Sequence, residues 1–371
     1  MTADVAILGG GPAGSAAAAA LARAGAAVVL IERSSYDGVR SGEILPPRVR
    51  VPLTELGLWD RFQALGAIAS AGIAAAWGQP EVSVQDSIFD PYGTGWHVDR
   101  PALDRVMATA AEESGAVVYR GARLRHWEDD SRGWRLDASL PDRTVSLRAH
   151  FLIDATGRPS VLTGWMGVPR LRYDRLVGVL ALVRRESAGF RGAAHALIES
   201  RPCGWWYSAA LPGQLLVAGY LTDSEQLASS QKRPDRIWRE QLQAAPLTGD
   251  AVGPIANADV KVRVVTAATQ RRQRIAGHHW LAIGDAAIAL DPLSGHGVLR
   301  ALENGLAAAH ALTDSDRPHA LAEYVAAQER QFPDQLRLRA WYYGLEARWP
   351  QSAFWKCRQP TEIAHIRAGG Y

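Results

Sequence analysis

Short apolar runs closed by glycine dominate the start of the chain. Val5-Ala6-Ile7-Leu8 leads into Gly9-Gly10-Gly11-Pro12-Ala13-Gly14, and an alanine-rich stretch covers residues 15–23. This order predicts a buried strand, a tight turn and a helix, because alanine is the best helix former and small residues let a helix pack closely on a sheet. Gly25 ends that helix, and Val28-Val29-Leu30-Ile31 starts a second strand with Glu32 at its tip. Residues 49–62 predict a helix with Leu53, Leu56, Leu58 and Phe62 on one side. Residues 101–114 predict another, opened by Asp99-Arg100-Pro101. Strands are expected at 117–119 and 151–154, and a hairpin between 134–136 and 145–147.

From residue 176 to 221 the rhythm changes. Short β-like runs with aromatics, at 177–183, 205–207 and 215–220, predict a second, antiparallel layer inserted between parts of the first. A helix is expected from Gly297 to about Leu312, and residues 321–349 read as helical, rich in arginine and aromatics. The fold class is therefore α/β: a Rossmann-like nucleotide-binding domain, an inserted antiparallel-sheet substrate domain and C-terminal helices. The expected parts are 1–75, 97–160 and 260–311 for the nucleotide domain, 76–96 and 161–259 for the substrate domain, and 312–371 for the C-terminal helical region.

Composition narrows this little. At 371 residues there is enough chain for one large domain or two closely joined ones. A net charge of +3 gives no nucleic-acid footprint, so no such partner is expected. Cys203 and Cys357 are too few for a disulfide framework and too isolated for a cysteine-based metal site, so no metal is expected. No charged export region precedes Val5, and the apolar stretch 15–21 is too short to span a bilayer; a cytoplasmic protein without a membrane partner is expected.

The spacing of Gly9, Gly11 and Gly14, with strand, helix, strand and acid all in order, is that of a dinucleotide-binding βαβ unit. The pyrophosphate would sit at the helix start by Pro12 and Ala13, where unpaired N–H groups favour negative charge. Glu32, with Arg33 beside it, would hold the adenosine ribose. A distant segment narrows the dinucleotide to FAD. Residues 281–285 read as a short apolar strand that delivers Asp285, after Gly284, to the ribityl hydroxyls. The loop Pro292-Leu293-Ser294-Gly295-His296-Gly297 would place backbone N–H groups by the pyrimidine end of the flavin, where they stabilise negative charge on the reduced ring. Arg100 would reach a phosphate or the ribityl chain, or else pair with Asp99 or Asp104 at its helix start.

The Gly-Asp pair followed by Pro-Leu-Ser-Gly-His-Gly resembles the flavin-dependent monooxygenase and halogenase superfamily, which shares the hydroxybenzoate-hydroxylase fold. Within it, the chain most resembles the maturase flavoproteins that accompany lysine and glycine oxidases bearing cysteine tryptophylquinone. Four stretches carry the narrower likeness: Gly42-Glu43-Ile44-Leu45-Pro46-Pro47; residues 90–100; Cys203-Gly204-Trp205-Trp206-Tyr207-Ser208; and Glu346-Ala347-Arg348-Trp349-Pro350 with Phe354-Trp355. Halogenases of this superfamily rely on a lysine downstream of the Gly-Glu pair, whereas no lysine occurs here before Lys232. Their Trp-x-Trp-x-Ile-Pro signature is not reproduced at residues 205–212 either, which argues against halogenation. Thr156-Gly157 stands where aromatic hydroxylases carry Asp-Gly, and there is no second fingerprint. Reducing equivalents are therefore expected from a separate reductase or a transient encounter with NAD(P)H.

The resemblance implies an FAD-dependent monooxygenase that hydroxylates a tryptophan side chain of an oxidase precursor during cysteine tryptophylquinone biogenesis. Two alternatives stand beside it: an FAD-dependent hydroxylase or oxidoreductase of a small aromatic or secondary metabolite, and an FAD-bound maturation chaperone. Ring oxygenation profits from a positioned acid or base, and Glu43, His97 and His296 are the candidates. Glu43 reads equally as a loop anchor and His97 as a packed, hydrogen-bonded core residue. Trp205 and Trp206 line an aromatic substrate pocket or pack in the core; adjacent strand residues face opposite ways, so at most one points in. Residues 337–358 read either as a docking face for a protein partner or as helices covering the FAD domain.

Overall fold

A computed structural model describes residues 1–130, 132–184, 194–231, 233–254 and 260–359. Lys232, residues 255–259 of the expected substrate domain and residues 360–371 of the expected C-terminal region lie outside the described residues. The central sheet has eight strands. In its parallel part Trp280–Ala282, Thr144–Asp154, Thr2–Leu8, Val28–Glu32 and Val117–Arg120 lie side by side in that order. Thr2–Leu8 is thus an interior strand with both faces covered, which is why residues 5–8 are apolar without alternation. The strand expected at 151–154 is the end of the longer Thr144–Asp154. The earlier part of that strand pairs antiparallel with Gly133–Ser139, opposing Leu147 to Leu136.

The alanine-rich helix Pro12–Arg23 packs against Gly297–Thr313 at backbone contact. A Cβ on Gly305 would lie 2.4 Å from the Ala13 carbonyl oxygen, so only glycine permits this approach. The contact brings the N-termini of both helices to the same cleft.

The second large sheet has seven strands, in the order Val262–Thr266, Leu176–Arg184, Leu215–Asp223, Gly204–Leu211, His195–Arg201, Gly72–Ala76 and Ser83–Asp86. It draws strands from beyond the bounds expected for the substrate domain, since Gly72–Ala76 starts before residue 76 and Val262–Thr266 lies after 259. Hydrophobic pairing with neighbouring strands places these segments, and no local breaker marks the boundary. One face is covered by the helix Pro234–Gln243, whose buried Trp238 donates its indole N–H to the Ala218 carbonyl at 3.1 Å.

Two helices differ from expectation. Residues 49–62 hold Arg50–Glu55 and Trp59–Ala64, separated at Gly57, whose φ of +63° is left-handed. The Gly57 and Leu58 amides donate back to the Thr54 and Leu53 carbonyls, a Schellman closure that stops the first helix. The last long helix runs Arg317–Gly344 and ends before Trp349. Residues 345–359 then lie on the seven-stranded sheet, burying Phe354, Trp355 and Arg358. Arg358 pairs with Asp223, and Glu346 accepts from Ser200 Oγ at 2.6 Å and from the Gly78 amide at 2.8 Å. Instead of forming a helix pair over the nucleotide domain, this segment is a strap on the other sheet. No helix of the described residues is long and apolar enough to cross a membrane.

Candidate functional site

A cleft of about 340 Å³, open to solvent, lies between the two large sheets. Of the fingerprint residues, Gly11, Pro12 and Ala13 line it, together with Asp285, Pro292, Gly295 and Gly297 from the distant segment. Gly9, Gly14 and Gly284 do not line it; they shape it. Gly9 has φ +101°, and a Cβ there would lie 2.3 Å from the Ala155 carbonyl oxygen. A Cβ on Gly14 would come within 1.9 Å of the Gly9 oxygen, and one on Gly284 within 2.9 Å of the Ala13 Cβ. Gly11 is the contrast, with no atom within 4 Å of the position its Cβ would take. That open face, at the start of a helix, is room for a pyrophosphate.

The charged groups divide between cradle and scaffold. Arg100 lines the cleft and pairs with buried Asp104 at 3.1 Å, the ion pair expected at its helix start. Its Nη1 donates to the Ser41 and Gly42 carbonyls, while its buried Nε has no hydrogen-bond partner. A guanidinium and the open Gly11 lining one cleft fit an anionic cofactor. Glu32 is buried off the cleft wall: it accepts from the Gly10 amide at 2.6 Å, the Ser34 amide at 2.9 Å and Arg40 at 2.8 Å. Arg33, expected beside the cofactor, is exposed and does not line the cleft; the strand's alternation turns it outward. Asp285 faces the cleft and is paired with Arg158 at 3.3 Å.

Of the three acid–base candidates only Glu43 stands at the cleft. Its Oε2 accepts from the Gly42 amide at 2.8 Å, and its buried Oε1 has no hydrogen-bond partner. Burial raises its pKa, offset in part by its own backbone and the Arg100 charge. Tyr207, which the sequence reading passed over, lines the cleft beside it; burial, then the Glu43 carboxyl, hold its phenol well above the usual range. Its ring fits because Gly219 faces it across the sheet, where a Cβ would lie 2.4 Å from Tyr207 Cε1. A glycine inside a strand was the available signal.

His296 is exposed, makes a contact from Nδ1 to the Ser294 carbonyl and does not line the cleft, because left-handed Gly295 turns the chain before it. His97 is fully buried between two strands, with Nδ1 3.0 Å from the Ala210 carbonyl, and lies outside the cleft wall. Burial pushes its pKa down to about 4. A histidine kept neutral when folded but titrating near 6.5 when unfolded contributes stability that is complete above 6.5 and lost as pH falls toward 4. The span corresponds to roughly 3 kcal/mol. His97→Gln is expected to flatten the dependence of urea midpoint on pH across that window; an unchanged slope contradicts the assignment.

The tryptophan pair splits as strand geometry requires. Trp205 lines the cleft and donates its indole N–H to Tyr343 at 3.0 Å. Trp206 turns the other way, into the core with Tyr220 and Trp238. The Tyr343 hydroxyl donates to Asp291 at 2.9 Å, Arg339 Nε to the same carboxylate at 3.1 Å, and Arg339 also pairs with Asp174 at 3.0 Å. Asp291 in turn accepts from the Leu293 amide at 3.0 Å. The C-terminal helix thereby fixes the loop that follows Asp291.

The comparisons with known proteins agree with this geometry. A family model for an FAD binding domain matches residues 2–330. LodB of Marinomonas mediterranea, described as an FAD-dependent oxidoreductase, is 29% identical over 358 residues, covering 96% of this chain and 96% of that protein. The myxobacterial chondrochloren halogenase CndH superposes with a TM-score of 0.87 at 21% identity, over 99% of this chain and 88% of that chain. QhpG, a peptidyl tryptophan dihydroxylase essential for tryptophylquinone cofactor biogenesis, superposes with a TM-score of 0.78 at 24% identity, over 96% of this chain and 79% of that chain. At these identities the two superpositions show a shared fold.

Proposed function

The chain belongs to the FAD binding domain family and is an FAD-dependent oxidoreductase, and from that premise we propose that it hydroxylates a tryptophan side chain of a quinone-cofactor oxidase precursor. The observation that carries this reading is the two-sided cleft. One wall offers the cradle of Gly11, Pro12, Ala13, Arg100, Asp285 and the 292–297 loop. The other offers Ile73, Ala196, Ile198, Trp205 and Tyr207, an apolar and aromatic surface suited to a planar ring. Glu43 stands between them. The likeness to LodB over the whole chain, and to the fold of QhpG, supports a tryptophan of a partner protein as the ring.

The chain's own residues then have distinct tasks. Backbone N–H groups at the start of the Pro12–Arg23 helix and Arg100 hold the pyrophosphate, and Asp285 accepts from the ribityl hydroxyls. When bound, FAD would supply the redox chemistry: two electrons from an external reductase or NAD(P)H would activate dioxygen, one oxygen atom going to an electron-rich ring and the other leaving as water. The ring carbon that gains oxygen must lose its proton, and the Glu43 carboxylate is the group placed at the cleft to receive it, with Tyr207 orienting it.

Co-expression with the oxidase precursor, followed by mass analysis of its tryptophans, tests the reading: oxygen gain is expected with a reductant present, and no gain defeats it. If Asp285→Ala chain devoid of FAD still matures the oxidase, the protein acts as a chaperone. Glu43→Gln is expected to retain FAD while turnover falls roughly 100-fold or more, the range of general base catalysis. The fold likeness to CndH makes halogenation the competing chemistry. Among the described residues no lysine lines the cleft, so halide-dependent product from free indole is not expected.

A further inference from the structure

The outer edge of the seven-stranded sheet is left open beside the cleft. Ser83–Asp86 pairs on one side with Gly72–Ala76 and, among the described residues, has no strand on the other. Edge strands are commonly guarded by lysine, proline or a bulge. This one reads Ser-Val-Gln-Asp, and its single charge is engaged by His195 at 2.7 Å. Around it the exposed apolar side chains gather: Val84 at 55%, Ile88 at 78% and Phe89 at 92% exposure, with Val82 and Tyr92 alongside. Monomeric proteins rarely present such a cluster without a use for it.

The stretch of chain that carries the patch is also acidic. Residues 62–99 contain no lysine or arginine in a chain that has 41, while Glu81, Asp86 and Asp90 border the exposed side chains. The edge strand turns Ser83 and Gln85 to the face shared with the cleft, and Val84 and Asp86 to the other face. Ile73 lines the cleft wall and lies opposite Gln85 in the sheet register, so the two share a face. With strands about 4.8 Å apart, a strand added beyond Ser83–Asp86 would run roughly 10 Å from Ile73, with alternate side chains on the cleft side.

We propose that this edge docks an extended, basic and apolar segment of the polypeptide whose tryptophan is oxidised, by addition of a strand to Ser83–Asp86. Main-chain hydrogen bonds to the open edge give affinity, Ile88 and Phe89 take apolar side chains, and Glu81 and Asp90 select lysine or arginine. The proposal rests on the peptidyl-tryptophan reading above. It explains how a large substrate is registered on a cleft too narrow to swallow a folded domain.

The test uses the FAD-loaded full chain and a fluorescein-labelled peptide of alternating lysine and valine around one tryptophan, with binding read by anisotropy. Phe89→Asp and Val84→Pro are expected to weaken binding about tenfold, as loss of one anchor does. The same peptide with glutamate for lysine is expected to bind at least as poorly to the wild-type chain, while oxidation of N-acetyltryptophanamide stays unchanged in both variants. Equal binding by the variants, or by the acidic peptide, overturns the proposal. So does a wild-type dimer that Phe89→Asp converts to monomer, since the edge would then belong to a second copy. Binding is read without turnover: a bound peptide whose tryptophan gains no oxygen defeats the enzymatic reading alone, and an unbound peptide beside oxidised N-acetyltryptophanamide defeats the docking alone.

Discussion

Gly11→Val will abolish FAD retention and leave the apo fold as stable as the wild type. The backbone at Gly11 is extended, with φ −77° and ψ −174°, a conformation open to any residue, and nothing lies within 4 Å of the added Cβ. The branched side chain therefore strains nothing in the protein. It occupies instead the space through which a pyrophosphate reaches the helix N-terminus, so affinity should fall at least about 100-fold, or about 2.7 kcal/mol. Gly14→Val is the control with the opposite signature. Its side chain would drive into the Gly9 carbonyl, and destabilisation of several kcal/mol should appear in urea unfolding with or without FAD. If Gly11→Val keeps bound flavin after gel filtration, the cradle has been misplaced.

Arg339→Met carries the second large effect. Arg339 lies between the carboxylates of Asp174 and Asp291, all three nearly buried. Removing the cation leaves two like charges facing each other in low dielectric, which costs roughly 3–5 kcal/mol. The loss should be read as a lower urea midpoint. FAD should also become easier to strip, because Asp291 anchors the Leu293 amide at the head of the flavin loop. Tyr343→Phe removes the hydrogen bond donated to the same carboxylate and the acceptor of the Trp205 indole N–H, but no charge, and should cost less, about 2 kcal/mol. Equal effects for the two variants would show that charge neutralisation is not what holds the loop.

The parts of this site legible in sequence are those set by neighbours in the chain. Gly9, Gly11 and Gly14 sit within one turn, and their spacing alone dictates strand, turn and helix start. The loop after Asp285 was legible for the same reason: proline and glycine impose its backbone. What failed depended on direction. His296 occupies the flavin loop, yet left-handed Gly295 aims it at solvent. His97 has useful chemistry by type, but pairing on both sides buries it away from the cleft. Tyr207 and the Asp291–Arg339–Tyr343 group escaped notice because their partners are remote in sequence: Arg339 and Tyr343 follow Asp291 by 48 and 52 residues. No periodicity records such a pairing. The strap fails similarly, since Arg358 is placed by Asp223, 135 residues earlier.

The anchoring of Asp291 by the last long helix has a consequence for the order of events during synthesis. A nascent chain that has emerged only as far as Thr313 already contains the βαβ unit, Arg100, Asp285 and the whole 292–297 loop. It lacks Arg339 and Tyr343, so the Asp291 carboxylate has no cation to neutralise it and the loop has no fixed end. Cofactor capture is then expected to follow, not precede, synthesis of the helix Arg317–Gly344.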